Sequence, residues 1–61
     1  MKTREWYAAH LKELLDEREM TEKQLAELLG VHPVSVTRWI HGTSKIAYPS
    51  YIKLIEILGD E

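Results

Sequence analysis

The sequence predicts an all-α protein with four helices. Three observations favour this fold class. Apolar residues recur at helical spacing in four separate stretches, glycine and proline fall at the ends of those stretches, and no segment alternates as a strand would. Because 61 residues are enough for one domain only, we expect residues 1–61 to form a single unit.

The first helix is predicted over residues 4–19. Within this stretch Tyr7, Leu11, Leu14 and Leu15 recur three or four residues apart, and charged side chains fill the positions between them. Residues at this spacing lie on one face of an α-helix. The stretch therefore forms an amphipathic helix with one buried stripe.

The second helix is predicted over residues 22–29. Thr21 and Gln24 have the spacing of a capping box, in which each side chain accepts a hydrogen bond from the other residue's backbone amide. Gly30 then supplies a left-handed exit from the helix. The buried face is expected to comprise Leu25, Ala26, Leu28 and Leu29.

The third helix is predicted over residues 33–41. His32 falls at the cap position and Pro33 at the first helical position, where proline needs no amide hydrogen. The buried face is expected to comprise Val36, Trp39 and Ile40, and Gly42 ends the helix.

The fourth helix is predicted over residues 49–58. Pro49 suits a first helical turn, and the residues at helical spacing after it are Tyr51, Leu54, Ile55 and Leu58. Gly59 follows the helix and marks its end. This helix closes the core.

The second and third helices meet the geometric requirements of a helix-turn-helix. They are short and are joined through Gly30, with the small Ala26 inside the first and the apolar anchor Val36 in the second. In a DNA-binding protein the second helix of such a pair enters the major groove. A helical hairpin with no role in DNA binding is the alternative.

The charge distribution is compatible with DNA binding, although the net charge is −2. Residues 1–27 and 56–61 contain all the acidic side chains, whereas residues 28–55 contain Arg38, Lys45 and Lys53 and no acid. A basic segment of this kind is suited to contact phosphates.

Composition argues against several other classes of protein. The chain has no cysteine, and it has neither a membrane-spanning apolar run nor a signal peptide, so we expect a cytoplasmic protein without a membrane partner. His10, His32 and His41 fall on different helices or helix ends without carboxylates spaced to complete a metal shell. We therefore expect no enzyme activity, no cofactor, no metal and no small-molecule substrate.

Three stretches of the chain resemble the Cro/C1-type, or XRE-like, helix-turn-helix domain of phage and bacterial repressors. They are LKELLDEREMTEKQLAELLGV, HPVSVTRWIHG and PSYIKLIEILG, which together span most of residues 11–59. The resemblance implies a compact four-helix lambda-repressor-like DNA-binding domain. It also implies a sequence-specific transcriptional regulator, a repressor that binds an inverted-repeat operator in double-stranded DNA as a homodimer.

The resemblance also implies which residues contact DNA. The base-reading positions of such proteins fall on Pro33, Val34, Thr37 and Arg38. Arg38 has a planar fork that can donate two hydrogen bonds to guanine, although a solvated arginine or a phosphate contact is the alternative for this residue. Contacts to the DNA backbone are expected from Thr21, Gln24, Ser35, His41, Thr43, Ser44 and Lys45. Glu22 stands where many relatives carry glutamine, and its carboxylate would repel a phosphate.

A homodimer requires an apolar pairing surface, and we expect it to comprise Ile46, Tyr48, Ile52 and Ile57. The alternative for Ile46 and Tyr48 is that they cover the core beneath the preceding loop. A different functional class also stays open, because the acidic first helix is compatible with a protein-interaction module such as an antitoxin or adaptor.

Overall fold

The computed structural model describes residues 2–58, and all regular secondary structure in this range is helical. The helices are α1 (Arg4–Glu17), α2 (Glu22–Leu29), α3 (Pro33–His41) and α4 (Tyr48–Leu58). The predicted all-α class is therefore confirmed. Gly59, which was expected to end the fourth helix, lies outside the described residues.

Helix α1 is shorter than the predicted span because its end is closed by backbone hydrogen bonds. Its N-cap is Thr3, whose Oγ1 accepts a hydrogen bond from the Trp6 amide at 3.0 Å. It ends at Glu17, after which Glu19 has a left-handed backbone with φ 52°. The Met20 amide then donates to the Leu15 carbonyl at 2.9 Å. Such a bond closes a helix end in the same way as a glycine exit.

Helix α4 begins one residue before the predicted span, at Tyr48. The Ala47 carbonyl accepts a hydrogen bond from the Tyr51 amide at 2.9 Å, which starts the helical ladder. Pro49 lies in the first turn, where its missing amide hydrogen leaves no carbonyl without a donor.

The core is formed by apolar side chains from all four helices. Helix α2 contributes Leu25 and Ala26, both 0% exposed, and α4 contributes Leu54, also 0% exposed. The remaining core side chains on α1 and α3 include Tyr7, Leu11, Val36 and Trp39. Full burial of a leucine side chain stabilises a fold by about 1.5–3 kcal/mol, so these contacts hold the short helices in place.

Leu28 does not belong to this core, and its predicted burial is wrong. The side chain is 54% exposed, whereas Leu25, Ala26 and Leu29 are buried. At about 100° per residue, Leu25, Ala26 and Leu29 cover about 100° of the helix surface, and Leu28 lies about 60° beyond Leu25. Leu28 therefore lies outside the buried strip and points to solvent.

Three hydrogen bonds from side chains to distant carbonyls join residues at or beside the ends of α1 to α4 or to the loop just before it. Arg4 donates to the Ile46 carbonyl just before α4 at 3.3 Å, and Arg18 donates to the Leu58 carbonyl at 2.6 Å. The Tyr51 hydroxyl donates to the Lys2 carbonyl. Since these bonds lie near both ends of α4, they fix this helix against α1. None of the helices described between residues 2 and 58 is long and apolar enough to cross a bilayer.

Candidate nucleic-acid interface

The turn between α2 and α3 is built around Gly30. Its backbone is left-handed, with φ 73°, and the next amide, that of Val31, donates to the Ala26 carbonyl at 3.0 Å. Ala26 is fully buried, and α2 packs closely against α3. A larger side chain there would force the two helices apart. The turn and this close contact set the angle at which α3 is presented.

Both ends of α3 are capped by neighbouring residues of the chain. At the start, His32 Nδ1 accepts a hydrogen bond from the Val34 amide at 3.1 Å, as its position predicted. At the end, Gly42 is left-handed with φ 75°, and the Thr43 amide donates to the Arg38 carbonyl at 2.9 Å. Helix α3 therefore has defined ends.

The predicted base-reading residues lie along one side of α3 but differ in exposure. Val34 is 44% exposed and Arg38 is exposed, whereas Pro33 and Thr37 are half-buried. The ion pairs found in the described part of the chain join Lys12 to Asp16 and Arg18 to Glu17, so neither involves α3. Arg38 takes part in neither of these ion pairs.

Thr37 makes a contact that the sequence did not reveal. Its hydroxyl donates a hydrogen bond to Glu22 Oε1 at 2.6 Å and also lies 3.3 Å from the Pro33 carbonyl. Because a hydroxyl has a single hydrogen, the shorter bond to the carboxylate dominates. This bond ties the first residue of α2 to the middle of α3 and holds a negative charge beside the exposed side of α3.

The residues predicted to contact the DNA backbone cluster around the start of α2 and the two ends of α3. Thr21 and Gln24 form the predicted capping box, with hydrogen bonds of 2.8 and 3.0 Å. The Thr43 hydroxyl donates to the Arg38 carbonyl at 3.2 Å. Ser35 is half-buried, and the exposed members of the set are Thr21, Gln24, His41, Thr43, Ser44 and Lys45.

The residues predicted for the pairing surface differ in exposure. Ile46 is 1% exposed and belongs to the core, so its assignment to a dimer surface is wrong. The alternative for this residue, that it covers the core beneath the loop, is the one observed. Tyr48 is 61% exposed, while Ile52 and Ile57 are half-buried. The Ile46 side chain packs in the apolar core, and its backbone carbonyl accepts a hydrogen bond from Arg4.

Among residues 2–58, no group of three or more His, Cys, Asp or Glu side chains is arranged to hold a metal ion. Two capped helices at a fixed angle, the second with an exposed arginine, define a helix-turn-helix of the DNA-binding class.

Comparison with known protein families agrees with this class. The Helix-turn-helix family model matches residues 11–59, and the chain belongs to this family, which is of the Cro/C1 type. Comparisons with curated proteins and with solved structures gave no significant match. The chain is a DNA-binding regulator of the helix-turn-helix kind, a family that is regulatory rather than typically enzymatic.

Proposed function

We propose that this protein is a sequence-specific transcriptional repressor that binds an inverted-repeat operator as a homodimer. The observation that carries this proposal is the exposed side of α3, where Val34 and Arg38 project from a helix that is capped at both ends. In a helix-turn-helix protein this side of the recognition helix faces the base edges of the major groove.

Sequence recognition is assigned to Pro33, Val34, Thr37 and Arg38. The guanidinium of Arg38 can donate two parallel hydrogen bonds to guanine O6 and N7, a contact that discriminates between bases by about 1–3 kcal/mol. Pro33 and Val34 offer apolar surface that suits a thymine methyl group. Thr37 contributes through its methyl group, because its hydroxyl hydrogen is directed to Glu22.

Contacts to phosphates are assigned to Thr21, Gln24, Ser35, His41, Thr43, Ser44 and Lys45. The capping box uses the Gln24 side-chain oxygen as an acceptor, so the amide nitrogen of this side chain can donate to a phosphate. Lys45 supplies a positive charge in the loop after α3. Such contacts fix the register of the protein on the duplex and make binding sensitive to salt.

Dimer formation is assigned to the surface around Tyr48, Ile52 and Ile57, without Ile46. Two copies related by a two-fold axis would place their recognition helices about one turn of DNA apart. In this proposal residues 1–61 act as one domain, in the cytoplasm of a bacterial cell or a phage-infected host.

The proposal is tested by selecting bound sequences from random duplex DNA and measuring affinity for the selected site by electrophoretic mobility shift. We expect Arg38→Ala to lose about 5- to 150-fold in affinity per half-site, with little change in thermal stability. Lys53→Ala removes an equal charge from α4 and is the matched control. Normal operator affinity in the Arg38 variant would exclude Arg38 as the main reader.

The same experiment tests the dimer. Sedimentation of the complex should give two protein copies for each selected site, and Tyr48→Glu should leave only single-copy complexes of lower affinity. A mass corresponding to one copy for the unmodified protein would refute the homodimer.

A protein-interaction module such as an antitoxin or adaptor is the second candidate function. The exposed acidic side chains of α1, which include Glu13, Asp16 and Glu17, are the observation that favours it. Absence of salt-sensitive, sequence-specific DNA binding at low salt would support this candidate over the repressor.

A further inference from the structure

The loop between α3 and α4, residues 43–47, carries two residues that are assigned to phosphate contact. These are Ser44 and Lys45, and both are exposed. The loop is anchored on its α3 side, where the amide and the hydroxyl of Thr43 both donate to the Arg38 carbonyl, at 2.9 and 3.2 Å. The direction in which the loop leaves α3 is therefore fixed.

The second anchor of this loop comes from α1. Arg4 Nη1 donates a hydrogen bond to the Ile46 carbonyl at 3.3 Å, across 42 positions of the chain. The Ile46 side chain packs in the core and is 1% exposed. The residue that follows Lys45 is thus held through both its side chain and its backbone.

The bond from Arg4 matters because an open cleft separates α1 from the loop. The cleft has a volume of about 580 Å³, and α1 lines it with Ala8 and Ala9, whose side chains are too short to fill it. Arg4 and Ile46 line the same cleft, so their hydrogen bond links its two sides. A charged donor also makes a stronger hydrogen bond to a carbonyl than a neutral donor does.

Arg4 is itself held in place, so it can serve as an anchor. It is the first residue of α1, and this helix end is capped by Thr3, whose Oγ1 accepts from the Trp6 amide at 3.0 Å. The Tyr51 hydroxyl donates to the Lys2 carbonyl and ties the same end of α1 to α4. Arg4 is also half-buried, which restricts the movement of its side chain.

We infer that Arg4 is a positioning residue for DNA binding, which holds Ser44 and Lys45 in place for the phosphate backbone through its hydrogen bond to the loop. This inference rests on the proposed function, which assigns phosphate contacts to these two residues. Arg4 lies before residues 11–59, so its contact is outside the segment that the family model matches. A loop that is already fixed loses little conformational entropy when it meets DNA, whereas a released loop must first be ordered.

The test measures affinity for the selected operator by fluorescence anisotropy over a range of salt concentrations. Arg4→Met removes the donors and the charge and keeps an unbranched apolar stem. Arg18→Met is the matched control, because Arg18 donates to the Leu58 carbonyl at the opposite end of α4 and carries an equal charge. Circular dichroism checks that each variant is folded at the temperature of measurement, and Arg4→Gln takes the place of Arg4→Met if the latter is not.

We expect Arg4→Met to lose about 2- to 10-fold in affinity per half-site, with the selected sequence unchanged. The dependence on salt should become weaker, because the released loop loses a phosphate contact. Hydrogen exchange at the amides of Ser44 and Lys45 should become faster. Arg18→Met should lose less than about twofold, and equal losses for the two variants would overturn the inference.

A double-mutant cycle separates an anchor from a direct contact with DNA. The same change at Arg4 is made in a protein that also carries Ser44→Ala and Lys45→Ala, in which the loop has no phosphate-binding side chains left to position. Arg4→Met should then cause a further loss of less than about twofold. A loss as large as in the unmodified protein would show that Arg4 acts independently of the loop, and it would overturn the inference.

Failure of this inference is distinguishable from failure of the proposed function. If Arg38→Ala abolishes sequence selection while the losses at Arg4 and at the loop are additive, the repressor proposal stands and Arg4 is not a positioning residue. If the unmodified protein selects no sequence at all, both fail together.

Discussion

Replacement of Glu22 by glutamine should strengthen DNA binding and weaken the fold at the same time. Glu22 is the first residue of α2, and its carboxylate is held by the Thr37 hydroxyl at 2.6 Å. The amide oxygen of glutamine can accept the same hydrogen bond, so Glu22→Gln removes the charge without removing the contact. The negative charge is the part of the side chain that opposes an approaching phosphate.

The size of both effects follows from simple electrostatics. A carboxylate about 7 Å from a phosphate is repelled by about 0.6 kcal/mol in water and about 2.4 kcal/mol at an effective dielectric constant of 20. For a half-buried carboxylate we expect about 1 kcal/mol, which is about fivefold per copy and about 30-fold for a dimer. Stability should fall by about 0.5–1 kcal/mol, because an acidic residue in the first turn of a helix interacts favourably with the helix dipole.

Fluorescence anisotropy with a labelled operator at low and high salt measures the first effect, and urea denaturation measures the second. Glu13→Gln removes an equal charge from the exposed surface of α1 and is the matched control. The gain for Glu22→Gln should shrink at high salt, because ions screen the repulsion. An equal gain for Glu13→Gln, or a gain that does not depend on salt, would refute a local repulsion between Glu22 and DNA.

Three further predictions concern stability and are measured by thermal or chemical denaturation. Glu19→Gly should stabilise the fold by about 0.5–1 kcal/mol, because glycine adopts the left-handed backbone at this position without strain. Glu17→Gly is the control and should destabilise the fold, because Glu17 lies within α1. Equal effects of the two substitutions would contradict the helix end described here. Leu54→Ala should lower the free energy of unfolding by about 2–5 kcal/mol and Leu28→Ala by less than about 1 kcal/mol, since only Leu54 is buried. A larger loss for Leu28→Ala than for Leu54→Ala would contradict the described composition of the core. Gly30→Ala should lower the free energy of unfolding by about 1 kcal/mol. The loss comes from the positive φ alone, because an added Cβ meets no atom within 4 Å. An unchanged free energy of unfolding would show that the turn tolerates other residues.

Local hydrogen bonding at the helix ends was predictable from the sequence. The Thr21 and Gln24 capping box, the His32 cap and the left-handed glycines at 30 and 42 depend on residues within a few positions of one another. The physical rule that relates each residue type to its role acts over one helical turn. Such rules need no knowledge of the tertiary structure.

The end of α1 was not predictable in the same way. No glycine or proline marks it, and the left-handed position is occupied by Glu19. The turn is stabilised by the Met20 amide bond to Leu15 and by the side chain of Arg18, which reaches the Leu58 carbonyl on α4. The second of these contacts joins residues 40 positions apart, so it arises only once the chain is folded.

Burial at the margins of the core also depends on tertiary packing. Leu28 and Ile46 are both aliphatic. The sequence placed Leu28 in the core and left Ile46 open between a pairing surface and a cover for the core, whereas the structure exposes Leu28 and buries Ile46. Leu28 has no neighbouring helix to cover it fully. Ile46 lies in a loop without helical periodicity, and the bond from Arg4 to its carbonyl helps to hold that loop against α1.

For the candidate site, the sequence predicted which side of α3 would be exposed near Val34 and Arg38, but not the contact between Thr37 and Glu22. These two residues lie 15 positions apart on different helices. Their hydrogen bond depends on the angle between α2 and α3, which residue spacing does not specify in atomic detail. The half-buried state of Thr37 follows from the same geometry.

The capping of α3 at both ends by His32 and Gly42 has a consequence for the kinetics and thermodynamics of association. A helix whose terminal hydrogen bonds are already formed does not have to become ordered when it meets its target, so little conformational entropy is lost on docking. The heat-capacity change on association should then match the surface buried at the contact, without a contribution from coupled folding. The association rate should be limited by diffusion and electrostatic steering rather than by a folding step.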